Sequence, residues 1–478
     1  MDFIGRGQDL NCLEENYQKD SGFVVIYGRR RVGKTELIKQ FIKDKNALYY
    51  LSMEEKEQDS LVRWTNAIAE FTNQPEMSNT NISRWEFLFK NFADYKPNEK
   101  KILVIDEFPY LVKANEAFPS VMQYIWDEQL KPRKNIMLIL CGSSISMMEK
   151  HVLLYNSPLY GRITSEIKLK PLRFSVIKKE LGKSFAEKSE TFSITGGIPK
   201  YLELLEGKEI TTKERISKHI LSNQSPLFNE PRYLLKEDIA DTTNYFALLK
   251  TIANGEHKLG NIAKNMEMAN SEVRLVLSKL IELGYIEKQV PITEKKPGTS
   301  KKGLYFISDN FIKFWFKYLY PYKSYLELGQ KDIALEILDK TFKSKFVALA
   351  YEDICKDILL ELSLNKKIDF MPSLIGSYWS NERKTENIQI DVSAVDTHNK
   401  KLFLGECKYH EKPIDADVFF DLKNKVDKSK EIFLSFKGYQ TNYGVFSKSG
   451  FTKRMLDIAK ETPTLHLINE AELIDTQK

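Results

Sequence analysis

One stretch of the sequence, residues 22–41, constrains the fold more than any other, and it reads GFVVIYGRRRVGKTELIKQF. The apolar run FVVIY predicts a strand that is buried on both faces of a parallel sheet. Residues 28–35 then fit the pattern G-x-x-x-x-G-K-T, and the following ELIKQF has its apolar residues at helical spacing. Strand, glycine-containing loop and helix therefore follow in the order that a phosphate-binding loop requires.

The residue types of this loop have a direct chemical explanation. Gly28 and Gly33 can adopt backbone angles that a Cβ forbids, so several N–H groups can converge on one phosphate. The helix that follows directs the positive end of its dipole at the same place. We expect Lys34 to reach the β and γ phosphates and the Thr35 hydroxyl to bind Mg²⁺. A chance match is the alternative, and average residue usage predicts one in only about 2% of chains of this length.

Length and composition set wider limits. A chain of 478 residues predicts two to four domains, and 42% hydrophobic with 29% charged residues is ordinary for a globular protein. The formal net charge is +6 and the isoelectric point is near 8.7. This mildly basic balance is compatible with nucleic-acid binding but does not establish it.

Cysteine and histidine usage indicates the compartment and limits the metal chemistry. The four cysteines form no C-x-x-C pair, and we expect free, mostly buried thiols in a reducing compartment. The six histidines are scattered, so we expect no zinc site. We find no apolar signal segment at the N-terminus and no run of about 18 apolar residues. The sequence therefore predicts a cytoplasmic protein that does not interact with membranes.

A second apolar run, ILVI at 102–105, ends in Asp106 and Glu107, about 70 residues after the phosphate loop begins. Acidic residues at the carboxyl end of a buried strand fit the second half of an ATPase site. Asp106 would hold the hydration shell of Mg²⁺, and Glu107 would orient and deprotonate the attacking water. The alternative is an ordinary acidic strand end.

Later segments add weaker candidates. Ser143 follows the apolar run IMLIL and could sense the γ-phosphate, or it could simply cap a turn. Arg162 lies in an otherwise uncharged stretch and is a candidate for stabilising transition-state charge, or it is a surface arginine. Gly196, Gly197 and Pro199 form a turn before a helix and could act as a hinge.

The segments GRRRVGKT, VIDEFPYL, CGSS, PLYGR and TGGIP, in this order, resemble the archaeal-type ATPase family within the wider AAA+/STAND group. The resemblance covers residues 1–225 and implies an α/β P-loop core with a small helical lid, which uses ATP and Mg²⁺ in regulation or signalling. The three arginines in the loop match those of the family. The residues expected to contact the nucleotide are Gly28, Arg29, Arg30, Arg31, Val32, Gly33, Lys34, Thr35 and Glu36.

Residues 238–308 predict a second domain, a winged helix-turn-helix. Three short amphipathic helices are followed by a hairpin with a basic tip formed by Lys295, Lys296, Lys301 and Lys302. The third helix, which carries Arg274 and Lys279, would enter the major groove of double-stranded DNA, and the tip would meet phosphates. The alternative is that this domain binds another protein.

Residues 311–478 predict a third domain that resembles the PD-(D/E)xK nuclease core. Asp391 lies in one predicted strand, while Glu406 and Lys408 project from the same face of the next because they are two residues apart. Glu352 is the acidic residue of the preceding helix, and Ile390 replaces the proline of the family pattern. The expected metal ligands of the whole chain are Thr35, Asp106, Glu352, Asp391 and Glu406. Active cleavage is one interpretation, and an inactive binding module is the other.

Taken together, the sequence predicts an α/β P-loop ATPase domain, a winged helix and an α/β nuclease-like domain. The expected function is an ATP-hydrolysing regulatory switch coupled to a DNA-directed C-terminal module. The alternatives are a Mg²⁺-dependent DNA nuclease regulated by ATP, and a signalling scaffold whose winged helix binds protein. The sequence leaves open whether the chain forms a homo-oligomer in which Arg162 acts on a neighbouring subunit.

Overall fold

The structure is a computed structural model that describes residues 3–80, 82–205, 211–239, 241–380 and 387–475. The chain divides into two compact units. The first contains Met1–Leu172, Ile198–Lys200 and Glu282–Gly284, and the second contains Arg173–Gly197, Tyr201–Ile281 and Tyr285–Lys478. The finer division into domains 1–225, 238–308 and 311–478 stays a prediction.

The first unit is built on a five-stranded, all-parallel sheet with the order β2-β3-β4-β1-β5. Its strands are β1 Gly22–Tyr27, β2 Ala47–Leu51, β3 Lys101–Asp106, β4 Ile136–Gly142 and β5 Ser165–Lys168. The strands β1, β3 and β4 are buried at every position, as their continuous apolar runs require in a sheet covered on both faces. The predicted α/β class with a parallel P-loop sheet is therefore confirmed.

Helices cover both faces of this sheet. They are α1 Gly7–Tyr17, α2 Lys34–Ile42, α3 Glu57–Thr72, α4 Trp85–Asp94, α5 Phe108–Ala114, α6 Phe118–Ile125 and α7 Ile145–Met148. One core is rich in aromatic rings and includes Trp64, Trp85 and Phe89, whereas the other contains Leu13 and Leu37. The two apolar layers hold the carboxyl ends of the strands in fixed positions, and the candidate site lies there.

The next short helices belong to the second unit apart from Pro199 and Lys200, and their assignment to a lid stays a prediction. They are α8 Phe174–Ile177, α9 Phe185–Thr195, α10 Pro199–Leu204, α11 Thr212–His219 and α12 Glu230–Asp238. Their ends follow local rules: Ser184 caps α9 through the amide of Glu187, and Thr211 forms a reciprocal capping box with Glu214 at the start of α11.

Three helices and a hairpin follow, in the order expected from the sequence. The helices are α13 Thr243–Ala253, α14 Leu259–Met266 and α15 Asn270–Glu282. The strands β6 Ile286–Gln289 and β7 Leu304–Ile307 pair antiparallel. Val273, Val276, Leu277 and Leu280 of α15 are buried, as their helical spacing indicates.

The remainder of the second unit consists of further helices and a mixed six-stranded sheet. The helices are α16 Asn310–Phe314, α17 Lys323–Glu327, α18 Asp332–Thr341, α19 Ala348–Leu364, α20 Asp417–Lys428, α21 Lys430–Ser435 and α22 Lys453–Glu461. The strands are β8 Leu374–Trp379, β9 Gln389–Asp396, β10 Lys401–Lys408, β11 Gln440–Ser447, β12 Leu465–Asn469 and β13 Glu472–Leu473, in the order β13-β12-β11-β10-β9-β8. The antiparallel pairing of β9 with β10 brings the predicted acidic residues of the third domain together.

The length and the apolar character of the helices bear on whether they could cross a membrane. Across the described ranges, no helix combines the length and the apolar character that a bilayer crossing demands.

Candidate functional site

The loop between β1 and α2 has the backbone geometry that its glycines predict. Gly28 and Gly33 have φ angles of +152° and +92°, and Arg31 between them also has a positive φ of 70°. A Cβ placed on Gly28 would lie 2.3 Å from the carbonyl oxygen of Leu169. Glycine is therefore required at position 28 by close backbone packing as well as by its backbone angle.

Lys34 closes the loop on itself. Its buried ammonium group donates hydrogen bonds to the carbonyl oxygens of Gly28, at 2.9 Å, and Arg29, at 3.0 Å. Burial lowers the pKa of Lys34, although the neighbouring acidic groups, which include Glu107 and Asp106, act in the opposite direction. A buried ammonium group in a loop of this shape is suited to an anionic ligand.

Arg6 supports the same loop, and the sequence analysis did not identify it. Its guanidinium donates to the carbonyl oxygens of Val32, at 2.9 Å, and Lys170, at 2.8 Å. It also lies 3.7 Å from a carboxylate oxygen of Asp9. Burial lowers the pKa of Arg6. Arg6 thus ties the N-terminal segment to the phosphate loop. The only sequence signal for this role was an arginine just before a predicted helix.

Asp106, at the end of β3, receives hydrogen bonds from three directions. Its Oδ2 accepts from the Thr35 hydroxyl at 2.8 Å and from the Tyr49 hydroxyl at 2.7 Å. Its Oδ1 accepts from the backbone N–H of Glu107 at 2.9 Å. The structure therefore brings the two expected Mg²⁺ ligands of this domain, Thr35 and Asp106, into contact.

Tyr49 of β2 is a further residue of this site that the sequence analysis missed. Burial raises the pKa of Tyr49, and the Asp106 carboxylate raises it further, so the phenol remains a hydrogen-bond donor. The alternation of side chains along β2 shows that Tyr49 and Tyr50 face opposite sides. The sequence could not reveal which of the two faces Asp106.

Glu107 is held in place by Ser143, which follows β4. Oε2 of Glu107 accepts from the Ser143 amide at 3.2 Å and from the Ser143 hydroxyl at 3.0 Å. The backbone of Glu107 itself is left-handed, with φ of 55°. A residue that is not glycine adopts this conformation at some energetic cost, which the surrounding structure must compensate. The predicted base and the predicted sensor therefore belong to one cluster.

Arg162 is engaged by an acidic residue of its own unit. Its Nε donates to both carboxylate oxygens of Asp127, at 3.0 and 2.8 Å, and its Nη2 lies 2.7 Å from Oδ2. Nη1 donates to the carbonyl oxygen of Pro158 at 3.0 Å. The structure thus places the Arg162 guanidinium on Asp127 and does not pair it with the other predicted residues of the site.

The predicted C-terminal residues lie on neighbouring strands, and two lysines bind one carboxylate. The buried Glu406 accepts from Lys408 at 2.8 Å and from Lys425 of α20 at 2.7 Å. Asp391 accepts from the backbone N–H of Cys407 at 3.0 Å. Lys425 had no signal in the sequence, because it approaches from a separate helix.

Glu352 of α19 completes this acidic group electrostatically. Burial, followed by the Asp391 carboxylate, raises the pKa of Glu352 to about 8. Burial and Glu406 likewise raise the pKa of Asp391. Among the residues that the structure describes, no three or more His, Cys, Asp or Glu side chains are grouped closely enough to hold a metal ion. Metal binding by Glu352, Asp391 and Glu406 therefore stays a prediction.

Solved structures similar to this chain include two archaeal proteins. One is the Walker-type ATPase of Pyrococcus abyssi, which is 20% identical with a TM-score of 0.49 over 66% of this chain and 96% of that chain. The other is the ORC2 protein of Aeropyrum pernix in ADPNP–ADP complexes, which is 13% identical with a TM-score of 0.47 over 71% of this chain and 96% of that chain. With TM-scores below 0.5, neither contributes to the family assignment.

Residues 3–205 match the model of an ATPase domain predominantly from Archaea, and residues 315–425 match the model of archaeal and bacterial proteins of unknown function. An uncharacterised ATP-binding protein of Methanocaldococcus jannaschii is 43% identical over 44 residues, which are 9% of this chain and 75% of that protein. A second uncharacterised protein of the same organism is 35% identical over 448 residues, which are 93% of this chain and 95% of the relative. The chain therefore belongs to the archaeal-type ATPase family whose members join this ATPase domain to a C-terminal domain of unknown function.

Proposed function

We propose that the chain binds and hydrolyses ATP at the phosphate loop and uses this reaction as a regulatory switch on a DNA-directed second unit. The observation that carries the proposal is the contact between Thr35, at the start of α2, and Asp106, at the end of β3. Lys34 precedes Thr35, and Glu107 follows Asp106. Four groups with complementary roles in phosphate chemistry therefore lie at the carboxyl end of one parallel sheet.

Each group has a defined role in this proposal. Lys34 exchanges its two carbonyl acceptors for phosphate oxygens. Thr35 would hold Mg²⁺ through its hydroxyl, and Asp106 would hold the hydration shell of the ion. When bound, Mg²⁺ neutralises phosphate charge. Glu107, held by Ser143, orients the attacking water and accepts its proton.

Phosphate release tests the ATPase part. Wild type should release phosphate from ATP, whereas Lys34→Ala should lose most of this activity because the loop loses its ammonium group. Lys39→Ala is the matched control, since Lys39 is an exposed lysine on the same helix. Equal phosphate release by wild type and Lys34→Ala would contradict the proposal. The same assay with duplex DNA tests coupling, for which we expect a changed rate.

The DNA-directed part is supported by the charges around α15 and the β6–β7 hairpin. Arg274 is exposed on α15, and Lys295, Lys296 and Lys301 are exposed between the strands. Lys302, in contrast, donates to Glu431 at 2.7 Å, so its charge is already compensated. Only three of the four basic residues expected at the tip therefore remain as candidates for phosphate contacts.

The affinity for duplex DNA, measured at several salt concentrations, tests whether these lysines contact phosphates. Neutralising Lys295, Lys296 and Lys301 should weaken binding and make the logarithmic salt slope shallower by up to about 3, because each phosphate contact contributes about 0.9. The control neutralises three exposed lysines on α18 and α22, at positions 340, 453 and 460. Binding that is unaffected by these substitutions and by salt would favour a protein partner. The 73% exposure of Leu275 on α15 is compatible with such a partner.

A second candidate function is Mg²⁺-dependent DNA cleavage, which the proximity of Glu406 and Lys408 supports. The carboxylates of Asp391 and Glu406 can hold the ion, and Lys408 can position a water. Plasmid cutting should then require Mg²⁺ and should be lost in Glu406→Gln. Glu411→Gln is the control, because Glu411 is an exposed acidic residue with 72% side-chain exposure. If no nucleotide condition produces cutting by wild type, this candidate is excluded and the domain is an inactive member of the fold.

A further inference from the structure

The second unit contains a cavity whose wall includes Glu352 but none of the other residues proposed for the ATPase and nuclease chemistry. Its volume is about 530 Å³, within the range of small-ligand sites. The end of α13, the β6–β7 hairpin, the region from α16 to α19 and strands β8 and β9 contribute to its wall. Polar and charged side chains line one part, and aromatic rings line another. The cavity is therefore large enough and chemically varied enough to hold an organic anion.

Four lysines supply the positive charge of this wall, and they are Lys313, Lys317, Lys345 and Lys356. The ammonium group of Lys317 donates to the backbone carbonyl of Lys345 at 3.1 Å. Burial lowers the pKa of Lys317, and the charge of Lys345 lowers it further. The two lysines therefore repel each other electrostatically, and an anion between them would relieve this repulsion.

The acidic residues of the cavity do not neutralise these two lysines. Asp353 is paired with Lys356 at 3.1 Å. Glu352 also lines the cavity, but it lies beyond salt-bridge distance of Lys317 and Lys345. Within the described part of the chain, neither Lys317 nor Lys345 has a carboxylate within salt-bridge distance. Their charge is therefore available to a ligand.

The aromatic part of the wall contains stacked rings. His257 and Phe306 are parallel to within 27°, with ring centroids 4.3 Å apart. Trp379 of β8 also lines the cavity, and its indole N–H donates to the carbonyl oxygen of Lys302 at 3.3 Å. Rings presented beside cationic groups favour a ligand that carries both a planar ring and an anion, because stacking and charge pairing then act together.

We propose that this cavity binds a nucleotide, with its phosphate held by Lys317 and Lys345 and its base packed on the aromatic wall. This site is separate from the phosphate loop, since it shares none of its residues. A free nucleotide and the terminal nucleotide of a single strand present the same chemistry, and the experiment distinguishes these two sources.

Binding is measured on the full-length Lys34→Ala variant, which removes the contribution of the phosphate loop. AMP and a 5′-phosphorylated oligonucleotide of four bases are titrated in turn, by calorimetry and by tryptophan fluorescence. The part of the signal that arises from Trp379 is identified with Trp379→Phe in the same background. We expect saturable binding of at least one ligand. Saturation by AMP assigns a free nucleotide, and binding of the oligonucleotide alone assigns a strand end.

Two substitutions test the lysines. Lys345→Ser, alone and combined with Lys317→Ser, should weaken binding at least tenfold, with thermal melting as the check on folding. Lys345 is exposed, so its single substitution leaves the core intact. Lys343→Ser is the matched control, because this nearby lysine is 61% exposed and lies outside the cavity. Unchanged affinity in Lys345→Ser and the double variant, the absence of binding by both ligands, or equal binding of inorganic phosphate would overturn the proposal.

Discussion

The Tyr49 hydroxyl donates a 2.7 Å hydrogen bond to Oδ2 of Asp106, the oxygen that also accepts from Thr35. Tyr49 thereby restricts the orientation of the carboxylate that is expected to organise Mg²⁺. Residues that orient a metal-binding group in this way commonly affect metal affinity or activity by about 10- to 100-fold.

We therefore predict that Tyr49→Phe raises the Mg²⁺ concentration needed for half-maximal ATP hydrolysis by about tenfold. Phenylalanine retains the packing of the ring but no longer fixes Asp106. Phosphate release across a Mg²⁺ series measures the effect. Tyr50→Phe is the control, because the buried Tyr50 hydroxyl in the same strand has no hydrogen-bond partner among the described residues. If phosphate release by the two variants depends on Mg²⁺ concentration in the same way, the Tyr49 contact is only structural.

The Glu107–Ser143 contact leads to a prediction about hydrolysis. Glu107→Gln should retain ATP binding but lower the turnover rate by about 100-fold or more, since it removes the proton acceptor. Ser143→Ala should have a smaller effect, because Glu107 keeps its charge and loses only its support. Single-turnover hydrolysis together with a nucleotide-binding assay separates these effects. A larger loss in Ser143→Ala than in Glu107→Gln would indicate that Ser143 itself contacts the phosphate.

The Arg162–Asp127 ion pair allows a test of the role of the arginine. If Arg162 leaves Asp127 to stabilise transition-state charge, Arg162→Ala should lower turnover by about 1,000-fold. Asp127→Asn should instead maintain or raise turnover, because it releases the arginine. Activity measured over a range of protein concentrations shows whether the arginine acts between subunits. If the pair has only a structural role, both variants should lower the melting temperature similarly and leave turnover nearly unchanged.

Lys101 provides a prediction about pH and stability. Its side chain is buried in β3 and donates to the carbonyl oxygens of Ala93 and Tyr95. Burial, followed by the charge of Arg133, lowers the pKa of Lys101 from 10.5 to about 8. Between these pH values the unfolded chain binds more protons than the folded chain at this position. The contribution of Lys101 to the free energy of unfolding therefore rises with pH across this window.

Urea unfolding from pH 7 to pH 10.5 measures this contribution as the difference between wild type and Lys101→Met. The free energy of unfolding of wild type should rise with pH relative to that of Lys101→Met. The rise is at most about 1.4 kcal/mol per pH unit, because one proton is involved. Lys43→Met, at an exposed position of the same unit, should show little change. A difference that is flat, or that falls with pH, would mean that Lys101 keeps its ordinary pKa in the folded protein.

Local sequence signals were sufficient to predict many of the helices and strands, and the phosphate loop of the candidate ATPase site. The strand, loop and helix around Gly28 and Lys34 are encoded in consecutive residues, since steric limits and apolar periodicity act over short distances. The same holds for the three helices and the hairpin from Thr243 to Ile307. Asp106 was identified because it ends a continuous apolar run, which is typical of a strand buried in a parallel sheet.

The sequence by itself determined which residue types were present for phosphate chemistry and in which elements they lie. Only the tertiary structure decided their partners. Tyr49 reaches Asp106, Arg6 reaches Val32, Arg162 is held by Asp127, and Lys425 joins Lys408 on Glu406. The partners in the contacts of Tyr49, Arg6, Arg162 and Lys425 are separated by 19 or more residues in the sequence. Side-chain contacts at such separations depend on how the helices pack on each sheet, and no local pattern records that packing.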